Sequence, residues 1–123
     1  MKTPLQSHYR SLPRWLNWLP FGAVPSITSE EVLLNLNHYL IVDVRTHQEY
    51  QKSHIPGAIS LPLQQLNLAR IHKLPQDKPV ICICLSAHRS KPATRRFIKA
   101  GFDARELQGG MLAWWKRQLP LEN

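Results

Sequence analysis

Two short apolar runs, residues 39–44 (YLIVDV) and 80–84 (VICIC), do most to limit what this chain can fold into. Each is too short to be an independent buried helix, and the second is built around β-branched residues, as in strands buried on both faces of a sheet. Helical patterns lie between and around them. Thr28 with Glu31, and Thr46 with Glu49, have the spacing of a capping box, which opens one helix over about 28–37 and a shorter one after Thr46. Residues 63–71 read as an amphipathic helix with Leu63, Leu66 and Leu68 on its apolar side. Residues 90–100 read as another, closed by Gly101 where a left-handed residue is wanted, and 110–118 as a last one. Residues 57–62 and 104–107 read as brief strands. Strands separated by helices define an α/β domain with a mainly parallel sheet.

The chain has 123 residues, enough for one domain with a real core. Residues 1–26 stand apart: they hold Trp15, Leu16, Trp18, Leu19 and Phe21 among four prolines, and read as an irregular extension ahead of a domain at 27–121. The apolar residues of that extension are expected to fold back on the domain or to meet a second copy in a homodimer. Sixteen Lys and Arg against eight Asp and Glu give a net charge of +8, which favours anionic partners without choosing among them. No run approaches the roughly 20 apolar residues of a membrane span, and Pro13, Arg14, Asn17 and Pro20 interrupt the only stretch that resembles a signal sequence. A cytoplasmic location is expected.

Cys82 and Cys84 are the only cysteines. Two apart on a strand, their Cα atoms would be about 6.5–7 Å from each other, at or beyond disulfide reach. A disulfide framework is thereby excluded, and the pair suits a reducing compartment. Cys82 reads as a core residue. Cys84 begins the segment Cys84-Leu85-Ser86-Ala87-His88-Arg89-Ser90, which runs from the end of a core strand to the start of a helix. Open α/β sheets place their ligands at that edge. A short loop there can aim several backbone N–H groups at one point, and together with the helix N-terminus it forms an anion cradle. A thiol at its centre, with Arg89 and Lys91 beside it, ionises more readily and becomes a nucleophile.

Three segments carry a family resemblance. Val42-Asp43-Val44-Arg45, Glu49-Tyr50 and His54-Ile55-Pro56-Gly57-Ala58-Ile59 are similar to the first signature of the rhodanese family. The Cys84 loop resembles the family's active-site loop, and Leu107-Gln108-Gly109-Gly110 with Trp114 resembles its C-terminal signature. The resemblance implies the rhodanese-like fold, an α/β arrangement with a central, mainly parallel sheet of about five strands and helices on both faces. It also implies a reaction. Cys84 takes the outer sulfur of thiosulfate or a persulfide donor, and a thiol or cyanide acceptor then removes it; a thioredoxin-like or sulfur-carrier protein is an eligible acceptor. The amides of Leu85, Ser86, Ala87, His88 and Arg89 would cradle the persulfide, and the Arg89 side chain would help to bind the anionic donor. Asp43, Arg45 and Glu49 read as supporting residues, with Asp43 and Arg45 forming a charge-assisted pair.

The same fold serves protein phosphatases whose cysteine is followed by five residues and then arginine. Here the arginine is the fifth residue and Ser90 the sixth, so the loop is one residue shorter, a tighter cup that suits a single sulfur better than a tetrahedral phosphate. The sequence departs from the family at Ala87, where family loops often carry glycine. If that residue is left-handed, alanine costs on the order of 1 kcal/mol. A rhodanese-fold interaction or regulatory module without efficient turnover is the alternative reading. His8, His38, His47, His54, His72 and His88 are scattered without a close ligand pair, so no metal or other cofactor is expected. His54 reads as a hydrogen-bonded turn residue. Arg95, Arg96 and Lys99 form a basic helix face, but no RNA-binding motif accompanies it, and a nucleic-acid partner is not expected.

Overall fold

The computed structural model describes residues 24–123 apart from residue 87. The expectations for Trp15, Leu16, Trp18, Leu19 and Phe21, and for a left-handed Ala87, lie outside the described residues.

Five strands, β1 (Ser26–Ile27), β2 (Leu40–Asp43), β3 (Ile59–Ser60), β4 (Val80–Ile83) and β5 (Ala104–Leu107), form one parallel sheet in the order β1-β5-β4-β2-β3. The two runs singled out in the sequence are the middle of it: β4 lies between β2 and β5, with Val42 opposite Cys82 and Cys82 opposite Glu106. Among the described residues, five helices, α1 (Ser29–Leu34), α2 (His47–Lys52), α3 (Leu68–His72), α4 (Ser90–Lys99) and α5 (Gly110–Lys116), cover both faces.

Alternation along β4 divides the core. Ile81 and Ile83 join Ile41 and Leu107 against Val32 of α1 and Met111 and Trp114 of α5. Val80 and Cys82 join Val42 and Ala104 on the opposite face, against Ile71 of α3 and Ala93 and Phe97 of α4. Successive strand side chains point to opposite faces, so one run of five apolar residues supplies both cores. Burial of a side chain such as Phe97 or Ile81, each fully shielded, contributes roughly 2 kcal/mol.

The expected helix at 63–71 is not continuous. A single 3₁₀ turn (Leu63–Gln65) comes first, the chain breaks at Leu66, and α3 starts afresh after Asn67. Asn67 explains the break: its side-chain oxygen accepts from the Arg70 N–H at 2.9 Å, which makes it an N-cap rather than a mid-helix residue. Leu66, buried in the second core, holds the chain where it turns. The first helix also ends early, at Leu34, and a 3₁₀ turn (Leu36–His38) leads into β2. At Thr28 only half of the capping box forms. Thr28 accepts from the Glu31 N–H at 3.2 Å, the Glu31 carboxylate makes no return bond, and the neighbouring Glu30 pairs with Arg117. The box at Thr46 is complete.

Candidate active site

The site forms where β2 and β4 end on the same edge of the sheet. Cys84 is the first residue beyond β4, and α4 begins six residues later at Ser90. The loop between them is held from below by α5. The Met111 N–H donates to the carbonyl of Cys84 at 2.8 Å, and the Leu112 N–H to that of Leu85 at 3.1 Å. Peptide units are planar and trans, so the N–H groups of Leu85 and Ser86, on the same two units, point away from α5. The helix therefore fixes which way the loop's first amides face.

Such close contact requires glycine. Gly110 has φ +59, and a Cβ there would lie 2.5 Å from both the Cys84 and the Leu85 carbonyl oxygens. Gly109 before it is also left-handed. The Gly-Gly pair of the C-terminal signature is thus a backbone requirement that lets the first turn of α5 reach the cysteine loop.

Cys84 is buried, and its thiol donates to the Ser90 hydroxyl at 3.3 Å. Ser86 and His88 are exposed, Leu85 and Arg89 half-buried. Cys82 is fully buried, its thiol pushed up to about 12 chiefly by burial, in keeping with a core residue. Neither cysteine is in a disulfide.

Two residues expected to act separately are joined. The Nη1 and Nη2 groups of Arg89 donate to Oε1 and Oε2 of Glu49 at 2.8 and 3.1 Å, a two-pronged fork that ties the end of the loop to α2. Glu49 keeps its capping role at the same time, accepting from the Thr46 N–H at 3.0 Å. Arg89 also lines a cavity of 170 Å³ together with Val44, Thr46, Pro62, Leu63 and Gln64.

The Arg89 fork holds the Glu49 carboxyl down at about 2, against 4.5 for an ordinary glutamate. A carboxylate depressed on folding stabilises the native state above pH 4.5 and loses that contribution as pH falls toward 2. About a third of the side chain is exposed, so screening reduces the effect to ~1–2 kcal/mol. Glu49→Gln is expected to lower stability by that amount at neutral pH, with the gap to wild type closing as pH approaches 2; urea titrations at several pH values measure it.

Behind the loop, Asp43 and Arg45 pair as anticipated. Nη2 and Nε of Arg45 reach the two oxygens of Asp43 at 2.8 and 3.0 Å, and both residues are buried. Nη2 also donates to the Ser53 carbonyl at 2.7 Å, and the guanidinium lies over the Trp115 ring. His54 fulfils its structural reading, with Nδ1 2.7 Å from the Tyr50 carbonyl and its ring stacked on Tyr50.

A cysteine at the carboxyl edge of a parallel sheet, followed by a short loop running into a helix, defines an α/β domain with a thiol at the edge where such sheets place their ligands. The chain belongs to the Rhodanese-like domain family, which it matches over residues 28–117. It is 32% identical over 102 residues to a sulfurtransferase of Allochromatium vinosum, covering 80% of this chain and 94% of that protein. It is 38% identical over 84 residues to the HTH-type transcriptional regulator Rv0324 of Mycobacterium tuberculosis, covering 67% of this chain. It spans only 37% of that regulator's length. Among solved structures, the rhodanese-related protein from Thermoplasma volcanium superposes with a TM-score of 0.76 at 25% identity, covering 80% of this chain and 98% of that one.

Two polar residues of this neighbourhood carry no chemical role in the sequence reading: Ser90 marks the end of the loop and the helix start, and Glu106 is one residue of a short strand. Glu106 did leave a signal. It is an acidic residue between Ala104 and Leu107, on the strand face that Ala104 shares with the Cys82 side of β4.

Proposed function

We propose that the chain is a sulfurtransferase that carries sulfane sulfur as a persulfide on Cys84. The Cys84 sulfur attacks the outer sulfur of thiosulfate or a persulfide donor, sulfite or a thiolate leaves, and a thiol or cyanide acceptor takes the sulfur in a second displacement. The supporting observation is the orientation of the loop. Both carbonyls nearest Cys84 are taken up by α5, which turns the neighbouring amides toward the open side, where an anionic persulfide can be met by N–H groups. The family and the sulfurtransferase of Allochromatium vinosum support sulfur transfer in general. Acceptors of the sulfur-carrier class fit the net charge of +8, since an acidic protein surface would be drawn to it.

One observation favours a second reading, an interaction module without efficient turnover. Both terminal nitrogens of Arg89 are engaged by Glu49, which leaves the guanidinium less to offer an incoming anion. A single experiment separates the two. Incubation with thiosulfate, and separately with glutathione persulfide, is expected to add the mass of one sulfur to the intact protein, and Cys84→Ser is expected to gain none. An unmodified wild type, or equal gain in the variant, sinks the sulfurtransferase reading.

A further inference from the structure

Beneath Cys84 runs a polar path that the displacement chemistry above does not use. The sheet face that carries Val80, Cys82 and Ala104 packs on Ala93 and Phe97 of α4 and is otherwise apolar. Glu106 lies on this face with 7% of its surface exposed, and Ser90, the first residue of α4, is fully buried above it. Buried polar groups persist where they find partners, and these two find each other. The Ser90 hydroxyl donates to Glu106 Oε2 at 3.0 Å, while its oxygen accepts from the Cys84 thiol at 3.3 Å. Both hydrogen bonds run in one direction, from the sulfur inward to the carboxylate.

We propose, on the reading that Cys84 is the nucleophile, that Ser90 and Glu106 form a proton relay that takes the thiol proton inward and stores it while sulfur is carried. The Cys84 S–H bond breaks as its proton passes to the Ser90 oxygen, and the proton already on that oxygen passes to Glu106 Oε2. The single negative charge of the group moves from carboxylate to sulfur, and no proton leaves the protein. The thiolate then attacks the outer sulfur of the donor, whose S–S bond breaks with the electron pair departing on sulfite or thiolate. In the second displacement an acceptor thiolate takes the outer sulfur, and Cys84, released as thiolate, recovers its proton from Glu106 by the same path. Ser90 touches the reacting sulfur and is a catalytic residue in this scheme; Glu106 acts through it and is a positioning residue.

The surroundings suit a stored proton. Burial raises the affinity of Glu106 for a proton, an effect opposed by the Ser90 hydrogen bond and by Lys91, whose Nζ is 4.0 Å from Oε1. Cys82, opposite Glu106 across the β4–β5 pair, is pushed up to about 12 and stays neutral. Arg89, the other cation of the loop, is held by Glu49.

The test is alkylation of Cys84 by iodoacetamide in the full chain from about pH 5 to pH 9, with the label assigned to Cys84 or Cys82 by fragmentation. A relocated proton leaves the thiolate fraction independent of pH while the pair holds one proton, so the wild-type rate is expected to show a flat shoulder around neutral pH. In Ser90→Ala and in Glu106→Gln the shoulder should vanish, and the rate should fall about tenfold for each pH unit on the acid side. A wild-type profile without a shoulder overturns the proposal, as does a shoulder that survives in either variant. Should a variant fail to fold by circular dichroism, the wild-type profile and the other variant still decide. Alkylation needs no sulfur donor. A shoulder in a protein that gains no sulfur would therefore uphold the relay and count against the sulfurtransferase reading, and the reverse pattern would do the opposite.

Discussion

Gly110→Ala is expected to destabilise the protein by about 3 kcal/mol, lower its melting temperature by roughly 10 °C and sharply reduce sulfur uptake at Cys84. Two costs combine. Alanine at φ +59 is left-handed, which costs roughly 1–2 kcal/mol. Its Cβ would also stand 2.5 Å from two backbone oxygens, and neither the Cys84 nor the Leu85 carbonyl can swing aside without releasing the α5 amide it accepts. The loop that carries Cys84 must therefore shift. Gly101→Ala is the control: it has φ +93 but nothing within 4 Å, so only the conformational cost, roughly 1–2 kcal/mol, applies. Equal melting temperatures for the two variants would show that close contact between α5 and the loop matters little. Thermal unfolding with sulfur uptake on the same samples distinguishes the cases.

Arg45→Met is expected to cost about 3–5 kcal/mol, because it strands the fully buried Asp43 carboxylate. The backbone N–H of Arg45, 3.0 Å from Oδ1, still donates to that carboxylate. Removing the guanidinium also deprives the Ser53 carbonyl of its 2.7 Å donor and Trp115 of its cation. Asp43→Asn should be costly for the complementary reason, since a buried guanidinium then lacks its counter-charge. The double variant should cost less than the sum of the two by 1 kcal/mol or more, about the lower range seen for contacting residues. Additive losses in a urea denaturation cycle would mean that the two side chains stabilise the fold independently.

The fold was legible because its strongest signals are local. The β-branched run at β4, the complete capping box at Thr46 and the glycine after α4 each encode their own geometry within a few residues. Residues 63–71 look like one helix because apolar spacing persists across Asn67, whose capping bond competes with helix continuation. Within the site, Cys84 and the Asp43–Arg45 pair could be found from their positions at strand ends. The Glu49–Arg89 fork could not, because its partners are 40 residues apart and only the β2–β4 pairing brings them together. Glu106 stayed hidden for another reason. A charged residue in a short strand reads as solvent-facing until the neighbouring helix is seen to cover it.

The pairing of β1 with β5, Ser26 opposite Glu106, also bears on how the protein comes into being. A sheet whose neighbours are mostly distant in sequence has a high contact order and closes late. During synthesis Cys84 leaves the ribosome about thirty residues ahead of the Met111 and Leu112 amides that brace its loop, on the order of seconds at usual elongation rates. Throughout that interval it is an ordinary thiol on an unfinished chain. The cysteine is translated early and its loop is braced last.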